Sequence, residues 1–414
     1  MGRDPIIQSL MDTDFYKFTM GQVAFLKYLG VVVTYGFKNR TINVPLAHII
    51  DEGRLREELD NVRTLSFSKS ELHYLRGTNE YSDRMFCEKY LEFLENLQLP
   101  EYHLERDGYQ FKLEFSGNWA EAIYWETLAL SIINELYYEA LMDGVDATRF
   151  ERELTYAQGK VRLGDKIELL RDYPDITVTD FGTRRRRSRQ WQDYVVGTMA
   201  EELPNQFIGT SNVKLAMDHD LLPMGTSAHE MYMVMSGIMH GSDHDIRSSH
   251  GQTLHDWWEQ YGWGLSIALT DTYGSDFFFR DFNSIQAERW KGLRHDSGDP
   301  IEFGEKAISF YEGYGIDPME KLLIFSDGLD VNTIIRIADH FRGRINSSFG
   351  WGTNLTNDLG FGTLSLVVKA TMANGNPTVK LSDNLAKAMG PEKDVERFKN
   401  IFDHTNTFNE ECVV

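Results

Sequence analysis

Five segments combine residue types that can bind or move charge. Asp180-Phe181-Gly182-Thr183 leads straight into Arg184, Arg185, Arg186 and Arg187, and guanidinium groups grip phosphate or carboxylate through paired donors. Neither a helix nor a loop can aim four neighbours one way, so about one or two arginines are expected at a ligand and the rest on a solvated face. Gly225-Thr226-Ser227-Ala228-His229-Glu230 precedes the apolar MYMVMSGIM. Thr226 or Ser227 can cap the helix that follows, leaving His229 beside free backbone N–H groups that could support a phosphate on its ring. From spacing alone, a lone histidine is more often structural than catalytic. Arg294-His295-Asp296-Ser297-Gly298-Asp299 places a cation, two carboxylates and a hydroxyl before the helix-starting Pro300. Carboxylates there suit ribose hydroxyls or Mg²⁺ and the arginine suits an anion; the plain alternative is an Asp-rich turn with a helix cap. Ser326-Asp327-Gly328-Leu329-Asp330 and Ser348-Phe349-Gly350-Trp351-Gly352-Thr353-Asn354 offer glycine N–H groups that can hold phosphate.

Other chemistries find less support. No Walker loop occurs, and Leu355 stands where the last glycine of a dinucleotide fingerprint would be. His240, His244, His250 and His255 crowd together with Asp243 and Asp245 but match no strong ligand spacing, so they are read as polar loop and helix surface without a metal. A net charge of -21 speaks against a nucleic-acid or anionic-membrane partner, so any anionic ligand must meet a local basic spot. Cys87 and Cys412 are too few for a disulfide framework. The MGRDPIIQSL start has no secretory pattern, and Ile6 replaces the Ser or Thr of a myristoylation signal. The most apolar helical stretch, Trp119 to Met142, carries Glu121, Glu126, Asn134, Glu135 and Glu139, which argues against a membrane span. A soluble cytoplasmic protein is expected.

The elements that must position these segments follow from the hydrophobic pattern. At 414 residues and 42% apolar content the chain exceeds one ordinary core, so two closely associated domains are expected. Residues 1–140 read as an α+β domain, with an early helix in SLMDTDFYKFTM, a strand in VVVTYGFK and a hairpin over 102–116 around Asp107-Gly108. From about 176 an apolar run, a loop and usually a helix recur: ITVTDFG, QFIGTSN, LLPMGTSAHE, LSIALTDTY, WKGLRHDSGD, LLIFSDGLD, INSSFGWGTN and LSLVVKA. About eight such runs argue a parallel α/β fold closed into an irregular β/α barrel over 141–384, with every polar segment on its C-terminal face. Residues 385–414 read as a helical piece, interrupted near Gly390-Pro391, that packs back on the first domain to complete a flanking α+β domain.

In this order, TDFYKFTM, TDFGTRRR, FIGTSN, GTSAHE, RHDSGD, FSDGLD and FGWGTNLTND resemble the nicotinate phosphoribosyltransferase family over nearly the whole chain. The resemblance implies an irregular barrel of the type II phosphoribosyltransferases and a homodimer with active sites near the interface. It also implies an ATP-dependent, ligase-type reaction of NAD salvage that joins nicotinate to phosphoribosyl pyrophosphate, with Mg²⁺. His229 matches the histidine that ATP phosphorylates, and Asp271 the carboxylate that orients it. Phe181 and Tyr16 match the aromatics around the pyridine ring, Tyr16 arriving from the other subunit. Arg294 matches the cation near the pyridine substituent, and Asp296 and Asp327 the partners of the ribose hydroxyls, with Ser297 beside them. Gly328, Gly350, Gly352 and Thr353 would hold the 5'-phosphate. Arg184, with Arg185 and Lys380, would meet the pyrophosphate or substrate anions.

The related nicotinamide enzymes carry an aspartate where FIGTSN has Ser211. A carboxylate there accepts from a carboxamide and repels a carboxylate, whereas a serine can donate, so Ser211 favours nicotinate. Nicotinamide phosphoribosyl transfer is the nearest alternative. A sugar-phosphate lyase or isomerase would need a Schiff-base lysine or a carboxylate base on a strand end. A non-catalytic sensor of phosphoribosyl pyrophosphate or a pyridine nucleotide would sit oddly with both His229 and Asp296.

Overall fold

The computed structural model describes residues 4–80, 83–144, 149–406 and 408–410; Cys412 lies outside them. The strands in chain order are β1 Val32–Asn39, β2 Asn79–Glu80, β3 Asp83–Arg84, β4 Tyr102–Asp107, β5 Gln110–Asn118, β6 Val178–Asp180, β7 Phe207–Thr210, β8 Ile267–Leu269, β9 Gly292–His295, β10 Leu322–Phe325, β11 Asn346–Trp351, β12 Leu366–Ala373 and β13 Asn376–Pro377. An antiparallel sheet runs β13-β12-β1-β5-β4, a parallel sheet runs β7-β6-β11-β10-β9-β8, and β2 and β3 pair by themselves.

Alternation builds the first sheet. In β5, Phe111, Leu113 and Phe115 are buried while their neighbours face outward, the period of two that a half-covered strand requires. The expected hairpin is present: Asp107 pairs with Gln110 across Gly108 and Tyr109, and Gly108 has φ +59°.

The parallel strands are three to six residues long, short apolar runs buried on both faces as in helix-covered parallel sheets. Thr179, Ile208, Ile267, Ile324 and Ser348, from five of these strands, line one common cavity, so the sheet curls around it. Among the described residues its hydrogen-bonded order covers six of the eight expected runs. LLPMGTSAHE contributes only a bridge between Pro223 and Thr210, because proline has no N–H for a ladder. LSLVVKA becomes β12 and pairs antiparallel with β1, so this part of 141–384 belongs to the other sheet.

Two further elements differ from expectation. The early helix starts at Phe15, after a turn over Ser9–Asp12, because the Asp12 and Asp14 side chains bond to Arg186, Asn212 and Ser211. The C-terminal helix Glu392–Ile401 packs on residues 240–280, where Phe398 and Phe402 meet Tyr273 and Arg397 pairs with Asp243, while the Lys387 carbonyl before it accepts from Arg40 of the first domain. No helix among the described residues is long and apolar enough to cross a membrane.

Candidate active site

The loops following the parallel strands converge on one cavity. Phe181 follows β6, Ser211 β7, Asp296 β9, Asp327 and Gly328 β10, and Gly352 and Thr353 β11, and all line it. These are the carboxyl ends of the strands, where open and closed α/β sheets both bind ligands. Tyr16, Arg184, Arg185, His229, Arg294 and Lys380 line it as well.

Buried hydrogen bonds hold the first loop. Asp180 accepts from Gly182 N at 2.7 Å, Gln192 Nε2 at 2.8 Å and Thr210 Oγ1 at 2.7 Å, fixing the turn that presents Phe181 and Arg184. The arginine run divides. Arg184 and Arg185 face the cavity. Arg186 is fully buried against Asp12, with donors at 2.6 and 2.9 Å from the two carboxylate oxygens, and Arg187 lies over the Tyr138 ring. The two arginines outside the cavity are therefore core residues, not a solvated face.

His229 opens the helix His229–Ile238 and is 4% exposed. The helix has Ala228 at its N-cap with no side-chain cap; the Thr226 and Ser227 carbonyls accept from Thr19 and Arg294. The imidazole Nδ1 lies 3.0 Å from Thr272 Oγ1, and Nε2 lies 2.8 Å from Asp296 Oδ2 and 2.9 Å from Lys380 Nζ. Asp271 stands 3.6 Å from Nε2 and accepts instead from Ser297 and Ser382. The carboxylate bonded to the histidine is thus Asp296. Burial and the Lys380 charge push the imidazole down to about 4, against the pull of Asp271 and Asp296. Burial alone would raise Asp296, but the His229 bond and the Lys387 and Lys380 charges hold it well below the usual carboxylate range. At neutral pH the site therefore holds a neutral imidazole between a carboxylate and an ammonium.

Three expected residues stand apart from the cavity lining. Asp271 and Ser297 form the buried network behind His229, with Ser382. Gly350 faces the interior of the parallel sheet, where a Cβ would come 2.3 Å from Phe181 ring carbons. The missing side chain leaves room for that ring. Gly328, at φ +58°, and Gly352 remain on the cavity. Tyr16 lines the cavity of its own chain: Phe15 N donates to Ser211 O at 2.7 Å and Asp14 bridges Asn212, which ties the start of its helix to the end of β7. The Ser211 hydroxyl donates to Asp14 at 2.7 Å.

Sequence reasoning missed Asp14, Arg40, Asn354, Lys369 and Lys387 on this cavity. Asp14 lay within TDFYKFTM, two residues from Tyr16, and Lys369 was a lone cation in an apolar strand, which are usable signals. Lys387, bonded to Asp327 at 2.5 Å and to the Asp296 carbonyl at 2.8 Å, comes from the tail and carried none. Of the histidine-rich segment, His250 pairs with Asp281 and His240 with Arg397. Asp256 and Glu259, near His255, are paired with Lys27.

Seven Arg and Lys side chains against three Asp line a cavity in a chain of net charge -21. With a neutral histidine buried among them, fold and site define a phosphate-handling α/β protein. The model of the nicotinate phosphoribosyltransferase (NAPRTase) family matches residues 176–406, and that of its N-terminal domain residues 11–134; the chain belongs to this family. A nicotinate phosphoribosyltransferase structure from Porphyromonas gingivalis is 31% identical, with TM-score 0.85 over 96% of this chain and 100% of that one. A putative nicotinate phosphoribosyltransferase from Saccharomyces cerevisiae is 29% identical, with TM-score 0.85 over 97% and 100%. A nicotinate phosphoribosyltransferase from Vibrio cholerae is 31% identical, with TM-score 0.84 over 98% and 95%.

Proposed function

We propose that this chain forms nicotinate mononucleotide and pyrophosphate from nicotinate and phosphoribosyl pyrophosphate, in NAD salvage, with ATP hydrolysis coupled through a phosphohistidine at His229. The observation that carries the reading is the concentration of cations around a neutral, buried imidazole. A neutral ring keeps a lone pair for attack on the γ-phosphate of ATP. Lys380, 2.9 Å from Nε2, offsets charge on the transferred group as ADP leaves.

The pyridine ring would lie between Phe181 and Tyr16, its carboxylate toward Arg294, whose Nε is buried without a hydrogen-bond partner. Asp296 and Asp327 suit the ribose hydroxyls. Gly328, Gly352 and Thr353 suit the 5'-phosphate, and Arg184 and Arg185 the pyrophosphate. The carboxylates of Asp296 and Asp327 fit Mg²⁺, a hard cation that takes one or two protein oxygens and completes its shell with phosphate and water. When bound, it would neutralise charge on the leaving pyrophosphate. Loss of pyrophosphate from the ribose and attack by the pyridine nitrogen from the opposite face need positioning and charge stabilisation rather than a protein nucleophile.

One observation favours the nicotinamide alternative: the Ser211 proton is committed to Asp14, whose carboxylate lines the cavity and could accept from an amide. The excess of cations argues for the acid. A cytoplasmic homodimer belongs to the proposed reading, although Tyr16 lines the cavity of its own chain. Incubation with γ-labelled ATP tests the core of it: wild type should take up acid-labile, base-stable label and His229→Ala none. Equal labelling of the two, or an unchanged ATP requirement in the variant, would contradict the assignment.

A further inference from the structure

Two cavity cations share a buried anion that does not itself reach the cavity. Glu126, on the helix Trp125–Gly144, has a side chain 1% exposed. Its carboxylate lies 2.6 Å from Lys17 Nζ, 2.7 Å from Lys369 Nζ and 3.6 Å from Arg184 Nη1. Lys369 and Arg184 line the cavity, whereas Glu126 and Lys17 do not. Lys17 is fully buried and turns also to Glu230 at 2.5 Å, the residue after His229. Glu230 Oε1 accepts in addition from Tyr35 Oη at 2.6 Å and Trp119 Nε1 at 2.8 Å. One chain of charges thus runs from the helix turn that carries His229 to the cations that face the cavity.

The physical need for such an anion is direct. Lysine and arginine side chains are long and have much rotamer freedom to lose, and like charges gathered out of water repel strongly. Burial pushes the Lys369 ammonium down to about 8, with Glu126 opposing that fall and Arg184 adding to it. The opposite charge of Glu126 keeps three neighbouring cations together and charged.

We propose that Glu126 is a positioning residue: with Lys17 it holds Arg184 and Lys369 in the orientation that receives the anionic groups of the substrate, and ties the turn bearing His229 to the same frame. The proposal rests on the phosphoribosyl pyrophosphate reading of the cavity and names the residue behind its anion-binding groups.

The test is Glu126→Gln, which keeps shape and removes charge. Steady-state kinetics should give a KM for phosphoribosyl pyrophosphate raised by about ten- to a hundredfold, with kcat changed far less. Calorimetric affinity for inorganic pyrophosphate should fall by a similar factor. Glu126→Asp should fall between wild type and Gln. If Glu126→Gln does not fold, Glu126→Asp and the Glu126→Gln/Lys369→Met pair, which removes an anion together with a cation, carry the test; the pair should lose less pyrophosphate affinity relative to Lys369→Met than Glu126→Gln loses relative to wild type, the remaining loss passing through Arg184. A folded Glu126→Gln enzyme with wild-type KM and pyrophosphate affinity would overturn the proposal, as would a pair weaker than Lys369→Met by the same factor as Glu126→Gln is weaker than wild type. A wild-type protein that binds pyrophosphate without turning over nicotinate would defeat the functional reading, and the calorimetric comparison would still decide this proposal. A wild-type protein that binds no pyrophosphate would overturn both.

Discussion

Gly350→Ala separates two roles for the FGWG loop. A Cβ at this position falls 2.3 Å from Phe181 Cδ2 and Cε2 and 3.1 Å from Cγ, whereas carbon atoms settle at about 3.5–4.0 Å. The ring must therefore move by more than about 1 Å, and overpacking of this kind costs about 1–3 kcal/mol. If that displacement is resisted in the nicotinate complex, the KM for nicotinate should rise about 5- to 150-fold, while the KM for phosphoribosyl pyrophosphate stays close to wild type. Initial rates with each substrate varied at saturating levels of the other measure both. A phosphate-holding Gly350 predicts the reverse, so a raised KM for phosphoribosyl pyrophosphate with an unaltered KM for nicotinate would refute the ring-seat reasoning.

Other perturbations have equally definite outcomes. Lys380→Met removes the cation 2.9 Å from His229 Nε2, so the imidazole should rise from about 4 toward its ordinary 6.5 and the acid limb of ATP hydrolysis should move up by on the order of one to two pH units. A pH–rate profile checks this, and an unmoved limb would count against Lys380 as the cause. Asp12→Asn removes the carboxylate that meets Arg186 in two bonds and leaves Glu135, 3.6 Å from its Nε, as the nearer charge; it should cost about 3–5 kcal/mol, read by denaturant unfolding. Despite the opposing effect of burial, Arg186 holds the folded Asp12 carboxyl below its usual value. Its contribution is therefore fully present above the unfolded pKa of about 3.9 and lost as pH falls through the lower folded value. Ser211→Asp puts a second carboxylate beside Asp14 and should raise the KM for nicotinate more than that for nicotinamide; an equal change in both would show that Ser211 does not discriminate between them.

Much of the site was legible because each polar segment directly follows a short apolar run, and a parallel strand delivers whatever follows it to the same face. TDFG, RHDSGD and FSDGLD could be placed together on that argument alone. The misplacements have local causes. Asp271 and Thr272 are neighbours on one loop, and adjacent side chains point different ways, so the pattern could not tell which of them meets His229. Gly350 was read for its N–H, while the fold sets it against the Phe181 ring, where a side chain would not fit. LSLVVKA is buried on nearly every residue, so no alternation announced an antiparallel partner. Lys387 and Arg40 reach the cavity from the tail and from the end of β1, through packing that only the folded chain reveals. In the arginine run, Asp12 and the Tyr138 ring decide which guanidiniums turn away, and neither lies near it in sequence.

The central claim is the substrate and its coupling to ATP. The most direct measurement is mononucleotide formation and pyrophosphate release from phosphoribosyl pyrophosphate with nicotinate or nicotinamide, each with and without ATP. Nicotinate-selective turnover stimulated by ATP is the predicted result. A preference for nicotinamide would overturn the reasoning from Ser211 and the cavity cations, indifference to ATP would remove the phosphohistidine from the cycle, and absence of pyrophosphate release with either pyridine would contradict the proposed reaction itself.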